Sequence, residues 1–570
     1  MRMKVLLMLI LLAPSLLFAQ KIQFKENGNI IHISNGLINA DFNKTNADLV
    51  NITNQNNIQL LGKDGRGYLL GPGFSMSPAK FSIVRNSDTL IELSFFHDAS
   101  NHFQYDLHYI LRSGDAGIYC FLVQSHRAGD STGDYGQTRW GLRADENLFD
   151  YHLVRDSIQG PMPKMADLKD DIQDWTFKLP DSSYYTKYDY ADYIEGRHVH
   201  GMAGQKSGVG IFVIQASHEY LNGGPTKQYQ NVHSTPFLIN MFNCGHFLSD
   251  TRKADNNIDG DWKKIEGPFF LYVNSGKDIA SIWKDAKQRA ELEISKWPYT
   301  WMKHEAYPLE RGEVSGRLLI NNKPAKPGTT VLLADSGYDW QAQSRGYIFY
   351  TKTAPDGSFH LNQVRPGKYM LYAYGSNEME EFTKRNIVVE PGVLTITNKL
   401  NWQPVDYGEK IWQIGIADRR TTGFKLADHK RNYDVFLQPP ANLNFIVGKS
   451  KENQDWYYAQ TKPGSWDILF TNTKTYKDSA TLIIAVAGCA RNPQLNIIVN
   501  GQLAGTLKMG NDASVYRSAI AGGYYQLKRI TFPAAWLVKG ENKISLFMKV
   551  AKHGAGIMYD AIKLEAKPVL

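Results

Sequence analysis

The chain has 570 residues, 64 of them basic and 56 acidic for a formal charge of +8, and only three cysteines. Its basic residues are scattered rather than massed on one element, which argues against a nucleic-acid-binding surface, and three cysteines allow at most one disulfide, so several apolar cores must hold a chain of this length. With 31 Tyr, 26 Phe and 48 Gly, and many short apolar runs closed by Asn, Asp, Gly or Pro, the composition points to an all-β protein.

Residues 1–19 read as a leader. Arg2 and Lys4 form a basic start, Val5 to Leu12 an apolar run, and Leu17-Phe18-Ala19 a small-residue exit with cleavage expected near Ala19-Gln20. The run is too short to span a bilayer, no cysteine stands at the exit to carry a lipid, and no later stretch is long and apolar enough to cross. The mature protein is expected to be secreted or periplasmic and without a membrane span, with 62 basic against 56 acidic residues and a charge of about +6.

Arg139-Trp140-Gly141-Leu142-Arg143 alternates cation and apolar side chain around a glycine. On a strand both guanidinium groups leave one face while Trp140 and Leu142 pack inward, and two fixed cations on one face suit an anion. Downstream, Tyr184-Tyr185-Thr186-Lys187-Tyr188-Asp189-Tyr190 precedes Gly223-Gly224-Pro225 and Asn243-Cys244-Gly245-His246, so the segment offers a lysine and a histidine for proton transfer. If Lys187 lies on a strand, it shares its face with Tyr185 and Asp189. Ser207 to Ile214 and Pro236 to Phe242 read as strands, and Ile279, Ile282, Trp283, Ala286 and Ala290 recur at helical spacing within Asp278 to Lys296, a helix stopped by Trp297-Pro298.

That helix closes a first domain, expected at 20–305. A second, at 306–395, carries the turns Asp356-Gly357-Ser358-Phe359 and Arg365-Pro366-Gly367 ahead of strands, and reads as a small sandwich of the fibronectin III-like or carboxypeptidase-regulatory-like kind. A third, at 396–570, has strand-like runs around a hairpin at Asn500-Gly501 and ends in Ile557 to Glu565, which reads as a final jelly-roll strand.

Taken together and in this order, Lys187, Gly223-Gly224-Pro225, Gly245-His246, Glu266 to Tyr272, Trp297-Pro298-Tyr299, Trp412-Gln413-Ile414-Gly415 and Asp418-Arg419 resemble the rhamnogalacturonan lyases of polysaccharide lyase family 4, over nearly the whole mature chain. The resemblance implies a catalytic super-β-sandwich of the galactose-mutarotase type, then a fibronectin III-like sandwich, then a carbohydrate-binding-like jelly roll. It also implies β-elimination on rhamnogalacturonan I: the C5 proton of a galacturonate is removed, the C4 oxygen departs, and an unsaturated uronide remains.

The family pattern selects Lys187 and His246 as the catalytic pair, with base and acid interchangeable at this level. Arg139 and Arg143 are implied as the cations that offset the substrate carboxylate, and Tyr185 as a substrate contact. A lysine can serve as base only if burial or neighbouring cations depress its usual pKa of about 10.4; two arginines would do so and Asp189 would oppose them. The bland alternatives are a solvated lysine covering aromatic surface, and arginines that pair with Asp145 or Glu146. Family members carry tyrosines shortly before the matching histidine, where this chain has Asn240, Met241 and Phe242.

The sequence names no required cofactor and leaves open whether a divalent ion such as calcium assists. Asp255 to Gly260 with Glu266 at the twelfth position satisfies an EF-hand loop pattern, yet no amphipathic helices flank it and Trp262 and Lys263 fit its eighth and ninth positions poorly, so the match reads as chance, with calcium as the alternative. His198-Val199-His200 would put two imidazoles on one strand face without a third ligand. The acidic run Asp167 to Asp174 reads as solvated. Two other function classes stand beside the lyase: a glycoside hydrolase drawing a carboxylate pair from Asp189, Asp192, Glu195 and Glu219, and a non-catalytic glycan-binding protein. A monomer is expected.

Overall fold

The computed structural model describes residues 20–71, 74–134, 136–229, 231–243, 257–337, 339–427, 433–517, 523, 525–549 and 551–569; His246 and Cys244 lie outside them. Strands dominate throughout, as the β-rich composition requires. Among the described residues no helix is long and apolar enough to cross a membrane.

The N-terminal half forms two large sheets. One has eight strands and runs from Gln23–Asn27 at its edge through Gly67–Leu70, Thr138–Arg143 and Phe237–Asn243 to Val232–His233. The other has nine, with Val209–Ile214, Trp262–Ser275 and Gly117–His126 at its centre. Alternation along each strand sends one set of side chains into the space between the sheets. There Phe42 meets Tyr109 with ring centroids 4.5 Å apart, and Trp140 packs against Phe269 while its indole N–H donates to the Tyr109 hydroxyl at 2.9 Å.

The far face of the nine-stranded sheet is apolar as well, since Leu153, Phe212 and Phe270 point away from the first core. The helix Ile279–Lys296 covers it with Ile282, Trp283, Ala286 and Ala290. Its start is fixed locally: Asp278 accepts from the Ser281 backbone N–H at 2.7 Å, and the Asp278 backbone N–H donates to the Ser281 hydroxyl at 3.2 Å, a reciprocal cap contributing about 1 kcal/mol.

Two smaller sheet pairs follow. In the first, Gly312–Ile320 lies between Ser358–Val364 and the parallel strand Leu394–Trp402, facing the sheet Phe349–Lys352, Thr330–Ala334, Gly367–Gly375 and Glu378–Val389 over a core of Val314, Leu333, Leu371 and Trp402. In the second, Glu409–Gly415, Gly556–Pro568, Tyr476–Ala490 and Gln526–Pro533 face a sheet built on Gly464–Asn472, Gly540–Met548 and the hairpin Gln494–Val499/Gln502–Lys508, which turns at Asn500-Gly501 with both residues left-handed. Cys120 and Cys489 are buried thiols in different sheet pairs.

Ion pairs join the sheet pairs. Glu219 takes Arg311 at 2.6 Å and Arg365 at 3.0 Å, and Glu195 pairs with Lys352 at 2.7 Å and with Arg420.

Candidate functional site

The strand Thr138–Arg143 is hydrogen-bonded on both sides, to Gly67–Leu70 and to Phe237–Asn243. Its alternation buries Trp140 and Leu142 completely and turns Arg139 and Arg143 to the outer face, as a two-residue period dictates. Arg143 is exposed; its guanidinium lies 4.9 Å over the Phe237 ring and its Nε donates to the Tyr68 hydroxyl at 3.3 Å. Burial lowers the Arg139 pKa from the ordinary guanidinium range, with Arg143 pushing the same way against Tyr68, Tyr188 and Asp174. Among the described residues, neither arginine is ion-paired with Asp145 or Glu146.

Lys187 is not on a strand. The strand Tyr184–Thr186, paired with Thr176–Lys178, ends one residue before it, and Lys187 to Tyr190 form a turn. The turn reverses the expected neighbours. Asp189 is buried and accepts from the Thr186 backbone N–H at 3.3 Å, while the carboxylate that meets Lys187 comes from the acidic loop: Nζ lies 2.5 Å from Asp174 Oδ1. Asp174 is therefore not simply a solvated member of that loop. Its Oδ2 accepts from the Tyr188 hydroxyl at 2.5 Å, and Arg517 Nη2 lies 3.5 Å from the same oxygen with its guanidinium over the Tyr188 ring.

The electrostatics follow from this crowding. Burial lowers the Lys187 ammonium below its usual 10.5; the Asp174 hydrogen bond and charge oppose that, and Arg517 and Arg139 reinforce it. Burial raises the Asp174 carboxyl, but the hydrogen bonds from Lys187 and Tyr188 and the charges of Lys187 and Arg517 outweigh it, so it falls below 3.8 and stays ionised at neutral pH. A further imidazole belongs to the same cluster. His233 donates from Nδ1 to the Ser234 carbonyl at 2.8 Å, and burial holds its pKa at about 3, with Lys187, Arg139 and Arg143 pushing the same way as burial. It is neutral in the working pH range.

Tyr185 does not contact this surface. Strand alternation turns it inward, where it is 3% exposed; its hydroxyl accepts from the Ser234 backbone N–H at 2.5 Å and lies 3.3 Å from His152 Nε2. The substrate contact expected of it is replaced by a structural one. Tyr185→Phe is expected to leave kcat and KM within about twofold of wild type and to destabilise the fold by about 1–3 kcal/mol, because the Ser234 amide loses its acceptor. Steady-state kinetics and thermal melting on one preparation check both halves.

The carboxylates that would serve a hydrolase are all engaged. Asp189 is buried, Asp192 takes Arg155 at 2.5 Å, and Glu195 and Glu219 are the inter-sheet ion pairs already described. His198 precedes its strand rather than sharing a face with His200, and both imidazoles bond to backbone carbonyls, of Gln215 at 2.8 Å and Ile239 at 2.7 Å. Among the described residues no group of three or more His, Cys, Asp or Glu side chains converges as a metal site. The loop from Asp255 starts outside those residues, and Glu266 is fully buried in a strand.

Sequence reasoning missed Asp174, Tyr188, His233 and Arg517. The first three sit in the segments already singled out, but nothing local marks them; Arg517 is 343 residues from its partner.

Comparison with known proteins covers the length of the chain. The family model "Rhamnogalacturonate lyase family" matches residues 21–178, and those for domains II and III of polysaccharide lyase family 4 match 322–396 and 410–564. A rhamnogalacturonate lyase of Dickeya dadantii (strain 3937) is 35% identical over 505 residues, covering 86% of this chain and 83% of the relative. Rhamnogalacturonate lyase B of Emericella nidulans is 23% identical over 554 residues, covering 81% and 82%.

Proposed function

Because the chain belongs to the rhamnogalacturonate lyase family, we propose that it cleaves the rhamnogalacturonan I backbone by β-elimination at galacturonate, with Lys187 as the base. The observation that carries this reading is a half-buried lysine amine in the turn after Tyr184–Thr186, whose charged form burial, Arg517 and the outward-facing Arg139 disfavour against the opposing pull of Asp174. The C5 proton of a galacturonate is a very weak acid while the neighbouring carboxylate keeps its charge. Arg139 and Arg143 offset that charge as it grows on deprotonation, a neutral Lys187 takes the proton, and the C4–O bond breaks to leave a C4–C5 double bond. His246 is assigned to protonate the departing C4 oxygen. The reaction needs no nucleophile.

The chain is read as a leader at 1–19, a catalytic sandwich at 20–305, a fibronectin III-like sandwich at 306–395 and a carbohydrate-binding-like jelly roll at 396–570, exported and acting as a monomer. The deciding assay incubates purified protein with rhamnogalacturonan I and with homogalacturonan, following ultraviolet absorbance and reducing ends together. Both should rise on rhamnogalacturonan I; reducing ends without absorbance would mean hydrolysis, and neither would leave only binding.

A further inference from the structure

A base that is ion-paired cannot accept a proton, and in the free protein Lys187 is paired. Its Nζ is 2.5 Å from Asp174 Oδ1, and Asp174 is held from two further sides, by the Tyr188 hydroxyl at 2.5 Å and by Arg517, which comes from the third sheet pair. Arg139 feels the same carboxylate. A chain-borne carboxylate thus stands between Lys187 and Arg517, within the electrostatic reach of Arg139.

The backbone that delivers it is strained. Asp174 and Trp175 are both left-handed, at φ 49° and 62°. Aspartate tolerates that region, but a bulky aromatic residue does not adopt it without surrounding structure to hold it there. Trp175 is pinned by its N–H to Asp171 Oδ2 at 3.3 Å and by an edge contact with Phe177.

Resting on the lyase reading, we propose that Asp174 is an internal stand-in for the galacturonate carboxylate: it occupies the cationic site in the free protein and keeps Lys187 protonated until a substrate carboxylate displaces it. Displacement takes Asp174 away from Lys187, which lowers the ammonium's affinity for its proton; the proton passes to solvent, and the neutral amine is then free to take the C5 proton of the bound galacturonate. The charged and titratable groups facing Lys187 are Asp174, Tyr188, Arg517, Arg139 and, through its imidazole, His233, with Arg143 behind Arg139. Among these described residues, Asp174 is the one that carries a negative charge. It acts through Lys187 and is a positioning residue.

The test is Asp174→Asn, which keeps the shape and removes the charge. An acidic rhamnogalacturonan I oligosaccharide should bind the variant at least about tenfold more tightly than wild type, the gain expected when a site nine-tenths occupied by an internal competitor is vacated. The methyl-esterified oligosaccharide should gain nothing. In turnover, the acid limb of kcat/KM, which reports the free enzyme, should move to lower pH in the variant, while the limb of kcat, which reports the complex, stays. Equal or weaker binding of the acidic ligand, or an equal gain with the ester, overturns the proposal. So does a kcat that falls with both limbs in place. Should Asp174→Asn fail to fold, Tyr188→Phe removes one of the bonds that hold Asp174 and should move binding and the kcat/KM limb in the same sense; unchanged values overturn it. Absence of ultraviolet product from wild type would sink the lyase reading separately, and the binding comparison would still decide Asp174.

Discussion

Lys187→Ala is expected to lower kcat by about 10²–10⁴, the span that a general base commonly contributes, while the protein keeps its fold. The fold survives because the side chain is no part of the apolar cores: it sits in a turn after the strand Tyr184–Thr186, and its ion-pair partner, Asp174, retains Tyr188 and Arg517. Removing the ammonium strands no buried charge, because Asp174 keeps its bonds from Tyr188 and Arg517. Lys187→Arg should not rescue turnover, since a guanidinium stays charged throughout the accessible pH range and cannot accept the C5 proton. In wild type the rate should rise with pH as the ammonium loses its proton, along a limb below the usual 10.5 because burial disfavours the charged form. Initial rates from ultraviolet absorbance, with circular dichroism on the same samples, decide the matter: a variant retaining a tenth of wild-type turnover would remove Lys187 from the mechanism.

The largest stability loss is expected at Glu219. Its carboxylate is 3% exposed and accepts from Arg311 Nη1 at 2.6 Å, Arg311 Nη2 at 3.2 Å and Arg365 Nη1 at 3.0 Å. Arg311 is itself fully buried, stacked 4.3 Å over Trp297, and Arg365 lies 3.9 Å over Tyr347. Glu219→Ala therefore leaves two desolvated guanidinium groups without their carboxylate, at a cost of about 3–5 kcal/mol. Glu219→Gln keeps one acceptor and should lose less. Thermal and denaturant unfolding of the three proteins would show it, and a loss under about 1 kcal/mol for the alanine variant would mean that water or a rearranged partner satisfies the arginines.

Where local rules decide, the sequence can be read directly. The helix Ile279–Lys296 begins one residue after Asp278 because the cap is made by side chain and backbone three residues apart, and its buried face falls on the apolar residues that recur at helical spacing. Arg139 and Arg143 leave one face for an equally local reason, the two-residue period of a strand flanked on both sides. The same rule misled at Lys187, because the strand stops at Thr186 and periodicity ends with it. Tyr185 was misplaced because nothing in its neighbours says which face of a short strand looks into the core.

The sequence by itself therefore determined an all-β chain, its strand-forming runs, the helix that follows the first sandwich, the outward arginines and the family to which the motifs in their order belong. Only the tertiary structure decided which charges meet. Asp174 replaced Asp189 as the partner of Lys187, Tyr185 went to the interior, and Arg517 reached the site from 343 residues away. The physical reason is range: hydrogen-bonding period and capping act within a few residues, whereas the proton state of a buried amine is set by every charge within several ångströms, whatever its distance along the chain.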